Sequence, residues 1–122
     1  MLALKPFDTQ IPIEQQLGDA QSPVILVNTF TFDPVHEAAV LRAWTDDAAW
    51  MKQQPGFIST QLHRAVAGSA MYLNYAVWES VEHFRAAFSH PDFRARLDAY
   101  PDGVVAAPHL FARIAVPGIC TA

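Results

Sequence analysis

The sequence predicts an α+β domain with the element order βαββαβ, and three observations support this. Residues 71–80 alternate between two faces, as a β-strand requires, and both faces are largely apolar. Such a strand is covered on both sides and belongs at the centre of a sheet. Capping residues follow the first and third strands, and the small residues 67–70 predict a tight hairpin between the second and third.

The first 23 residues have no sustained hydrophobic period and contain three prolines and a glycine. We interpret residues 1–23 as an arm that lies on the domain or on its partner, with one short turn at Ile13–Leu17. A lid over a binding site is the functional alternative for this segment.

The first strand is predicted at residues 24–32, where β-branched and aromatic side chains dominate. Asp33 and Pro34 indicate a helix start, because Asp accepts hydrogen bonds from free backbone N–H groups and Pro suits the first helical position. Pro55 and Gly56 end this helix after about residue 53. Its buried stripe is expected at Ala38, Leu41, Trp44 or Thr45, Ala48 and Met51.

The second strand is predicted at residues 57–66, with Phe57 and Ile58 on opposite faces. Ser80 is expected to cap the second helix. The last strand is predicted at residues 109–116. The buried side chains of the second helix, and of a helical piece at 92–100 that follows it, are expected to be Val81, Phe84, Ala87, Phe88, Phe93 and Leu97.

These elements alternate in the split-βαβ manner, which predicts a ferredoxin-like fold. We expect a four-stranded antiparallel sheet with both helices on one face and with the first and third strands adjacent at its centre. Nothing in the chain remains to cover the other face of the sheet. Only 16% of the 122 residues are charged, fewer than the usual quarter, while 52% are hydrophobic. We therefore expect a homodimer that packs through this face.

Composition also excludes several classes of function. The net charge is −4 and no basic run exists to neutralise phosphates, which argues against binding nucleic acid. Cys120 is the only cysteine, so an internal disulfide is excluded. No apolar run approaches the ~18 residues of a membrane span, and the first residues contain no apolar core of a signal peptide. We expect no membrane association and a cytoplasmic protein.

Three polar side chains are the candidate catalytic residues. Asn74 and Trp78 share one face of the central strand, and Asn28 is expected on the adjacent first strand. A buried carboxamide without a partner costs roughly 1–3 kcal/mol, and a buried indole N–H also requires an acceptor. Either these groups line a pocket and bind a ligand, or they are satisfied polar groups of the core.

The remaining candidate residues are pocket walls and bases. Phe30, Phe84, Phe88 and Leu97 are suited to line an apolar pocket, although Phe84, Phe88 and Phe93 are core residues first. His63 and His109 are the strand-borne candidates for a base, with exposure or a place at the dimer interface as the alternative. No Gly-rich phosphate loop, metal-ligand spacing or nucleophile with an attendant base is present. We expect neither a metal nor another cofactor.

Several short motifs resemble a known family. They are Pro55-Gly56-Phe57-Ile58-Ser59, Leu62-His63-Arg64, and Trp78-Glu79-Ser80 followed by Phe84. Residues 24–116 are similar to the antibiotic biosynthesis monooxygenase domain of the dimeric α/β-barrel superfamily. On this basis residues 24–117 are assigned to that domain, residues 1–23 to the arm and residues 118–122 to a C-terminal tail.

The resemblance implies roles for the candidate residues. In the cofactor-free branch, which oxidises anthrones and hydroquinones, the amide and indole at positions matching Asn74 and Trp78 bind the substrate's oxygen atoms. That branch also has a tyrosine where this chain has Phe84. The haem-degrading branch matches at Asn28 and Trp78, but Leu97 stands where that branch has its iron-binding histidine, which argues against haem.

The function expected from the sequence is therefore a cofactor-independent monooxygenase. Its substrates would be molecular oxygen and a small aromatic hydroquinone or anthrone-like compound. Two alternatives remain open at this point. One is a non-catalytic, ligand-binding or stress-related dimer on the same scaffold, and the other is an isomerase of a small oxygenated metabolite.

Overall fold

The computed structural model describes residues 1–122 and contains one five-stranded sheet with helices packed against one face. The strands are β1 (Ala3–Leu4), β2 (Val24–Thr31), β3 (Phe57–Arg64), β4 (Met71–Trp78) and β5 (Val105–Phe111). The helices are α1 (Ile13–Gln16), α2 (Glu37–Met51), α3 (Val81–Phe88) and α4 (Pro91–Arg96), with 3₁₀ turns at Pro34–His36 and Leu97–Ala99. None of the helices has both the length and the apolar character needed to span a membrane.

The sheet has the strand order β1-β5-β2-β4-β3. Strand β2 pairs antiparallel with β4 and with β5, and β3 pairs antiparallel with β4. The ferredoxin-like α+β fold is therefore confirmed, and the first and third predicted strands are neighbours. The sheet differs from the predicted four strands in one respect. The arm adds a fifth strand, because Ala3 and Leu4 pair parallel with Val105 and Ala106.

The last strand begins four residues earlier than predicted, at Val105 instead of residue 109. Pro108 lies within it and is tolerated because its position faces outward from the sheet edge, where no ladder hydrogen bond is lost. Leu110, two residues further on, also directs its N–H outward, and the Oε1 of Gln16 accepts it at 2.7 Å. The segment predicted to complete the strand lies outside the sheet, and Ile114 is 76% exposed.

The arm is an integral part of the domain. Leu2 and Ile13 are buried in the hydrophobic core, and the short turn predicted near Ile13 forms as helix α1. Because the side-chain oxygen of Gln16 accepts a hydrogen bond from the outward N–H of Leu110, α1 covers part of the exposed edge of β5. The arm therefore shields the sheet edge and supplies core side chains.

Both predicted helix caps are confirmed. The Oδ1 of Asp33 accepts the N–H of Val35 at 3.0 Å, and the Oγ of Ser80 accepts the N–H of His83 at 3.1 Å. The first cap starts the 3₁₀ turn that leads into α2, and the second starts α3. Both helices therefore begin where local hydrogen bonding dictates.

The buried stripe of α2 differs from the prediction. Its fully buried members are Val40, Ala43 and Asp47, whereas Leu41 is 41% exposed and Ala38 is also exposed. The prediction was wrong at the start of the stripe, because the buried face follows Val40, Ala43 and Asp47 instead of Ala38 and Leu41. Asp47 points into the domain.

The faces of β4 are as predicted. Tyr72, Asn74, Ala76 and Trp78 are buried against the helices, and the alternate residues are half-buried on the open face. A β-bulge after Phe57 changes the faces of β3. Phe57 lies on the helix-covered face, 5.4 Å from the Trp78 ring, and Ile58 is 53% exposed, so the two residues lie on opposite faces as predicted. The bulge places Phe57 on the same face as Thr60, whereas strict alternation would separate them.

Candidate active site

An apolar cavity of about 70 Å³ lies between the sheet and the helices. Of its 20 lining residues 15 are hydrophobic, so the few polar groups among them determine what can bind. The polar lining residues come from three strands, from α2 and from the position after the second 3₁₀ turn, and they are Asn28, Asp47, Thr60, Asn74 and Tyr100, with Trp78, whose indole has one N–H donor. Leu4, from the arm, is the only exposed lining residue.

The sheet supplies one polar wall of this cavity. Asn28 on β2 lies directly opposite Asn74 on β4 in the antiparallel register, and Trp78 follows Asn74 by two positions on the same face. The structure therefore brings the three candidate catalytic residues together. The alternation of β4 is the cause, because every second side chain points to the helix-covered face.

The two asparagines differ in their hydrogen bonds. The Oδ1 of Asn74 accepts the Thr60 hydroxyl at 2.5 Å, which leaves the amide N–H₂ group free to donate. The Oδ1 of Asn28 is buried and has no hydrogen-bond partner. An unpaired buried oxygen costs about 1–3 kcal/mol, which a ligand that donates a hydrogen bond recovers. Asn28 is thus not a satisfied group of the core.

Aromatic rings form the apolar wall. Phe84 packs edge-on against Trp78 at 5.7 Å and stacks on Phe88 at 5.2 Å, and Phe88 contacts Phe93 at 5.6 Å. The predicted wall residues Phe30, Phe84, Phe88 and Leu97 all line the cavity and are buried. Offset and edge-to-face arrangements of this kind contribute about 0.5–1.5 kcal/mol each beyond their buried area.

Asp47 is a polar residue of the cavity that sequence reasoning missed. The Tyr100 hydroxyl donates to its Oδ2 at 2.6 Å, while its Oδ1 is buried without a partner. Burial raises the pKa of Asp47 to about 6, against the lowering effect of the Tyr100 hydrogen bond. Its spacing from Val40 and Ala43 is the signal that identifies it, since i, i+3 and i+7 lie on one helix face.

Tyr100 is the only hydroxyl-bearing aromatic residue of the cavity. Burial, together with the neighbouring Asp47 carboxyl group, raises the pKa of Tyr100 above its ordinary value. The phenol therefore stays protonated at neutral pH and acts as a hydrogen-bond donor. Phe84 has no hydroxyl, so Tyr100 and Thr60 provide the hydroxyl groups of this site.

The structure places both candidate histidines away from the cavity. His63 is exposed on β3, where its Nδ1 lies 3.2 Å from the Leu73 carbonyl oxygen. His109 pairs with Val27 rather than with Asn28, which puts it on the opposite face of the sheet, and its Nδ1 lies 3.0 Å from the Nε2 of Gln16. No cluster of three or more potential metal-binding side chains forms in the chain.

Comparison with known proteins identifies the family. Residues 23–98 match the antibiotic biosynthesis monooxygenase family. The chain belongs to this family. SnoaB from Streptomyces nogalater, a cofactor-independent oxygenase, is 31% identical over 80% of this chain and 99% of its own length, with a TM-score of 0.70. No curated protein sequence matches the chain significantly.

Further solved structures agree with this assignment. A predicted monooxygenase from Shewanella loihica is 31% identical over 81% of this chain and all of its own length, with a TM-score of 0.68. A relative from Caulobacter crescentus, 20% identical over 78% of this chain and 92% of its own, shares the fold with a TM-score of 0.68. The family match and the two relatives that are 31% identical support a monooxygenase-like function. The segment that contributes Leu2 and Leu4 to the cavity lies outside the matched region.

Proposed function

We propose that this chain is a cofactor-independent monooxygenase that uses molecular oxygen to oxidise a small aromatic hydroquinone or anthrone-like compound. The observation that carries the proposal is the sheet wall of the cavity, where the side chains of Asn28, Asn74 and Trp78 face a mostly apolar space. The similarity to SnoaB, a cofactor-independent oxygenase, supports the reaction type.

The reaction requires an electron-rich aromatic anion that transfers electrons to oxygen itself. Combination of the two gives a peroxide on carbon. Cleavage of its O–O bond leaves one oxygen atom as a carbonyl oxygen and releases the other as water. For an anthrone the balance is one CH₂ group and one O₂ converted to one C=O group and one H₂O. The protein contributes binding, ionisation and exclusion of water.

The sheet wall supplies the donors that stabilise the anion. The free amide of Asn74 and the indole N–H of Trp78 donate to the substrate oxygen that faces the sheet, and each such donor in a dry site is worth ~3–4 kcal/mol. The surrounding rings of Phe84 and Phe88 keep water out, which strengthens these hydrogen bonds.

The cavity size constrains how the substrate enters. A volume of about 70 Å³ is smaller than the ~150 Å³ cavity that accommodates benzene in an engineered protein. An aromatic substrate therefore displaces part of the wall. Leu4 is the exposed lining residue, so we place the entrance at the arm. We also propose that the chain acts as a homodimer formed through the open face of the sheet.

The test uses 1,4-dihydroxynaphthalene, metal-free protein and ¹⁸O₂, with uptake measured against a protein-free control. Monooxygenation converts this compound and O₂ to 2-hydroxy-1,4-naphthoquinone and water, so one labelled atom enters the product. Asn74→Ala and Trp78→Phe are expected to lower the rate by about tenfold to a thousandfold. Trp50→Phe is the matched control, because Trp50 lies on the same domain but outside the cavity.

The competing function is ligand binding without turnover, and the absence of a hydroxyl at Phe84 favours it. In that case the compound raises the melting temperature while oxygen uptake equals the protein-free control. Unlabelled naphthoquinone with hydrogen peroxide would instead indicate an oxidase. Equal rates in the wild type and both site variants would reject the sheet wall as the site.

A further inference from the structure

The helix side of the cavity carries its own polar group. Asp47 projects from α2 and is 7% exposed, and the hydroxyl of Tyr100 holds one of its two carboxyl oxygens at 2.6 Å. The other oxygen, Oδ1, is buried and has no donor within the chain. Buried carboxyl groups are normally paired, so this free oxygen requires an explanation.

A second unpaired acceptor lines the same cavity from the sheet side. Asn28 also keeps a buried Oδ1 without a partner. The cavity therefore contains two unsatisfied hydrogen-bond acceptors within a mostly apolar lining, one on the helix side and one on the sheet side. A ligand that satisfies both must bring a hydrogen-bond donor to each side, as an aromatic compound with two hydroxyl groups does.

We propose that Oδ1 of Asp47 accepts the proton of a substrate hydroxyl, and that Tyr100 positions the carboxylate for this transfer. The assignment rests on the proposed function and adds its proton acceptor. The substrate class that fits is a dihydroxy aromatic compound, with one hydroxyl directed at the helix layer and the other at Asn28 on the sheet.

Asp47 can serve as the only base in the proposed oxygenation, because every proton that it takes up is returned. Its carboxylate takes the proton from the substrate O–H bond, and the substrate remains as the anion that reacts with O₂. After the peroxide has formed on carbon, the Asp47 proton passes to the terminal peroxide oxygen. Cleavage of the O–O bond and loss of the C–H proton then release water, and Asp47 is a carboxylate again.

The charges around Asp47 suit this role. Tyr100, Asp46 and Arg96 are the titratable groups that act on it, and the sheet wall contributes only neutral amides and an indole. Asp46 is largely exposed, and its Oδ2 lies 3.3 Å from the Nε of Arg96. Burial brings the pKa of Asp47 to about 6, so the group is ionised at neutral pH yet more basic than an ordinary aspartate.

The first measurement is the pH dependence of kcat/KM for oxygen uptake with 1,4-dihydroxynaphthalene. In the wild type kcat/KM is expected to rise with a midpoint near pH 6 and to level off above it. Asp47→Asn should lower the plateau by about a hundredfold to ten-thousandfold and remove the midpoint. Tyr100→Phe should move the midpoint to higher pH, because the Tyr100 hydrogen bond lowers the pKa of Asp47.

Asp46→Asn is the matched control from the neighbouring position of the same helix. It should keep the plateau rate, and its midpoint should move to lower pH, because the Asp46 charge raises the pKa of Asp47. Opposite shifts in the Tyr100 and Asp46 variants are not expected from a merely structural role. Unchanged pH profiles in Asp47→Asn and Tyr100→Phe overturn the assignment, whatever the fate of the proposed function.

The second measurement is binding without oxygen, which does not depend on turnover. The wild type should bind 1,4-dihydroxynaphthalene about 10–100-fold more tightly than 1,4-dimethoxynaphthalene, which has no hydroxyl proton to donate. In Asp47→Asn the Tyr100 hydroxyl engages the amide oxygen, so an N–H₂ group replaces the free acceptor and the preference should largely disappear. The Asp46→Asn control should retain it.

The outcomes separate the two proposals. If the protein prefers the dihydroxy compound to the dimethoxy compound, and this preference depends on Asp47, but no oxygen is taken up, the monooxygenase is rejected and the acceptor site is retained. Oxygen uptake that is indifferent to Asp47→Asn rejects the acceptor and retains the enzyme. Equal affinity for the two naphthalenes in the wild type, or no binding of either, rejects the acceptor as well.

Discussion

The hydroxyl of Thr60 on β3 donates a hydrogen bond to the Oδ1 of Asn74 on β4. This contact determines which end of the Asn74 carboxamide faces the cavity. Since the oxygen is held by Thr60, the N–H₂ group is the free end and acts as a donor. The orientation of a group in the site thus depends on a residue of the neighbouring strand that was not a candidate from the sequence.

Thr60→Val keeps the shape of the side chain and removes the hydroxyl. We expect the rate of oxygen uptake to fall about tenfold, because the Asn74 amide loses its fixed orientation, and stability to fall by roughly 0.5–1.5 kcal/mol. Thr60→Ser retains the donor and should stay close to the wild-type rate. Steady-state oxygen uptake together with urea unfolding measures both effects, and a Val variant as fast as the Ser variant would refute the positioning role.

Asn28 and Asn74 should respond oppositely to the same substitution. Asn28→Leu removes a buried oxygen that has no partner, so we expect the free energy of unfolding to rise by about 1 kcal/mol while activity is lost. Asn74→Leu leaves the Thr60 hydroxyl unpaired and should lower the free energy of unfolding. Urea denaturation midpoints at equal slope test the pair, and destabilisation of both variants would contradict a ligand-directed role for Asn28.

The central strand shows why part of the site was predictable. Alternation alone places Asn74 and Trp78 on one face of β4, and the split-βαβ order places the strand of Asn28 beside it. Both inferences use local periodicity and topology, which a sequence displays directly. The sheet wall of the cavity follows from them.

Asp47 and Tyr100 were not predictable in the same way. Asp47 occupies the buried stripe of α2, but charged side chains are rarely buried without a partner, so the residue type by itself does not indicate a buried position. Its partner Tyr100 lies 53 residues away. A contact between residues so far apart in the sequence depends on how α2 and the segment around Tyr100 pack on the sheet. No local sequence pattern encodes this packing.

The late start predicted for the last strand has a different physical cause. Pro108 reads as a strand breaker, yet it lies within β5 because its position faces outward from the sheet edge. In the structure His109 lies beside Val27 on the open face of the sheet. The bulge after Phe57 is a comparable case, since it changes the faces of β3 without a clear local signal.

The raised pKa of Asp47 predicts a pH dependence of stability. Its folded-state pKa of about 6 exceeds the ordinary value of 3.8, so between these values the folded protein holds more protons than the unfolded chain. Stability contributed by this group is therefore highest below about pH 4 and falls as pH rises to about 6. The full loss above pH 6 is roughly 3 kcal/mol.

Asp47→Asn removes this titration. Relative to the wild type, the variant should gain stability progressively between pH 4 and pH 6.5, and the difference should then remain constant. Urea unfolding of both proteins at several pH values measures it. A difference that does not change across this range would show that Asp47 is not held in an unfavourable buried environment.

The open face of the sheet predicts a homodimer. Val27, Leu73, Tyr75 and Val77 lie on the face away from the helices and are half-buried within a single chain. An apolar sheet face of this kind is unfavourable in water, and a second copy that packs against it removes that surface from solvent. Light scattering at micromolar concentration should give about twice the mass of one 122-residue chain.

Leu73→Glu places a charge at the centre of this face and should shift the protein to a monomer, because a buried carboxylate without a partner is strongly unfavourable. Leu41→Glu is the control, since Leu41 is an apolar residue of α2 that is 41% exposed on the other side of the domain. It should remain dimeric. A wild-type protein that is monomeric at these concentrations, or a Leu73→Glu variant that stays dimeric, would contradict assembly through this face.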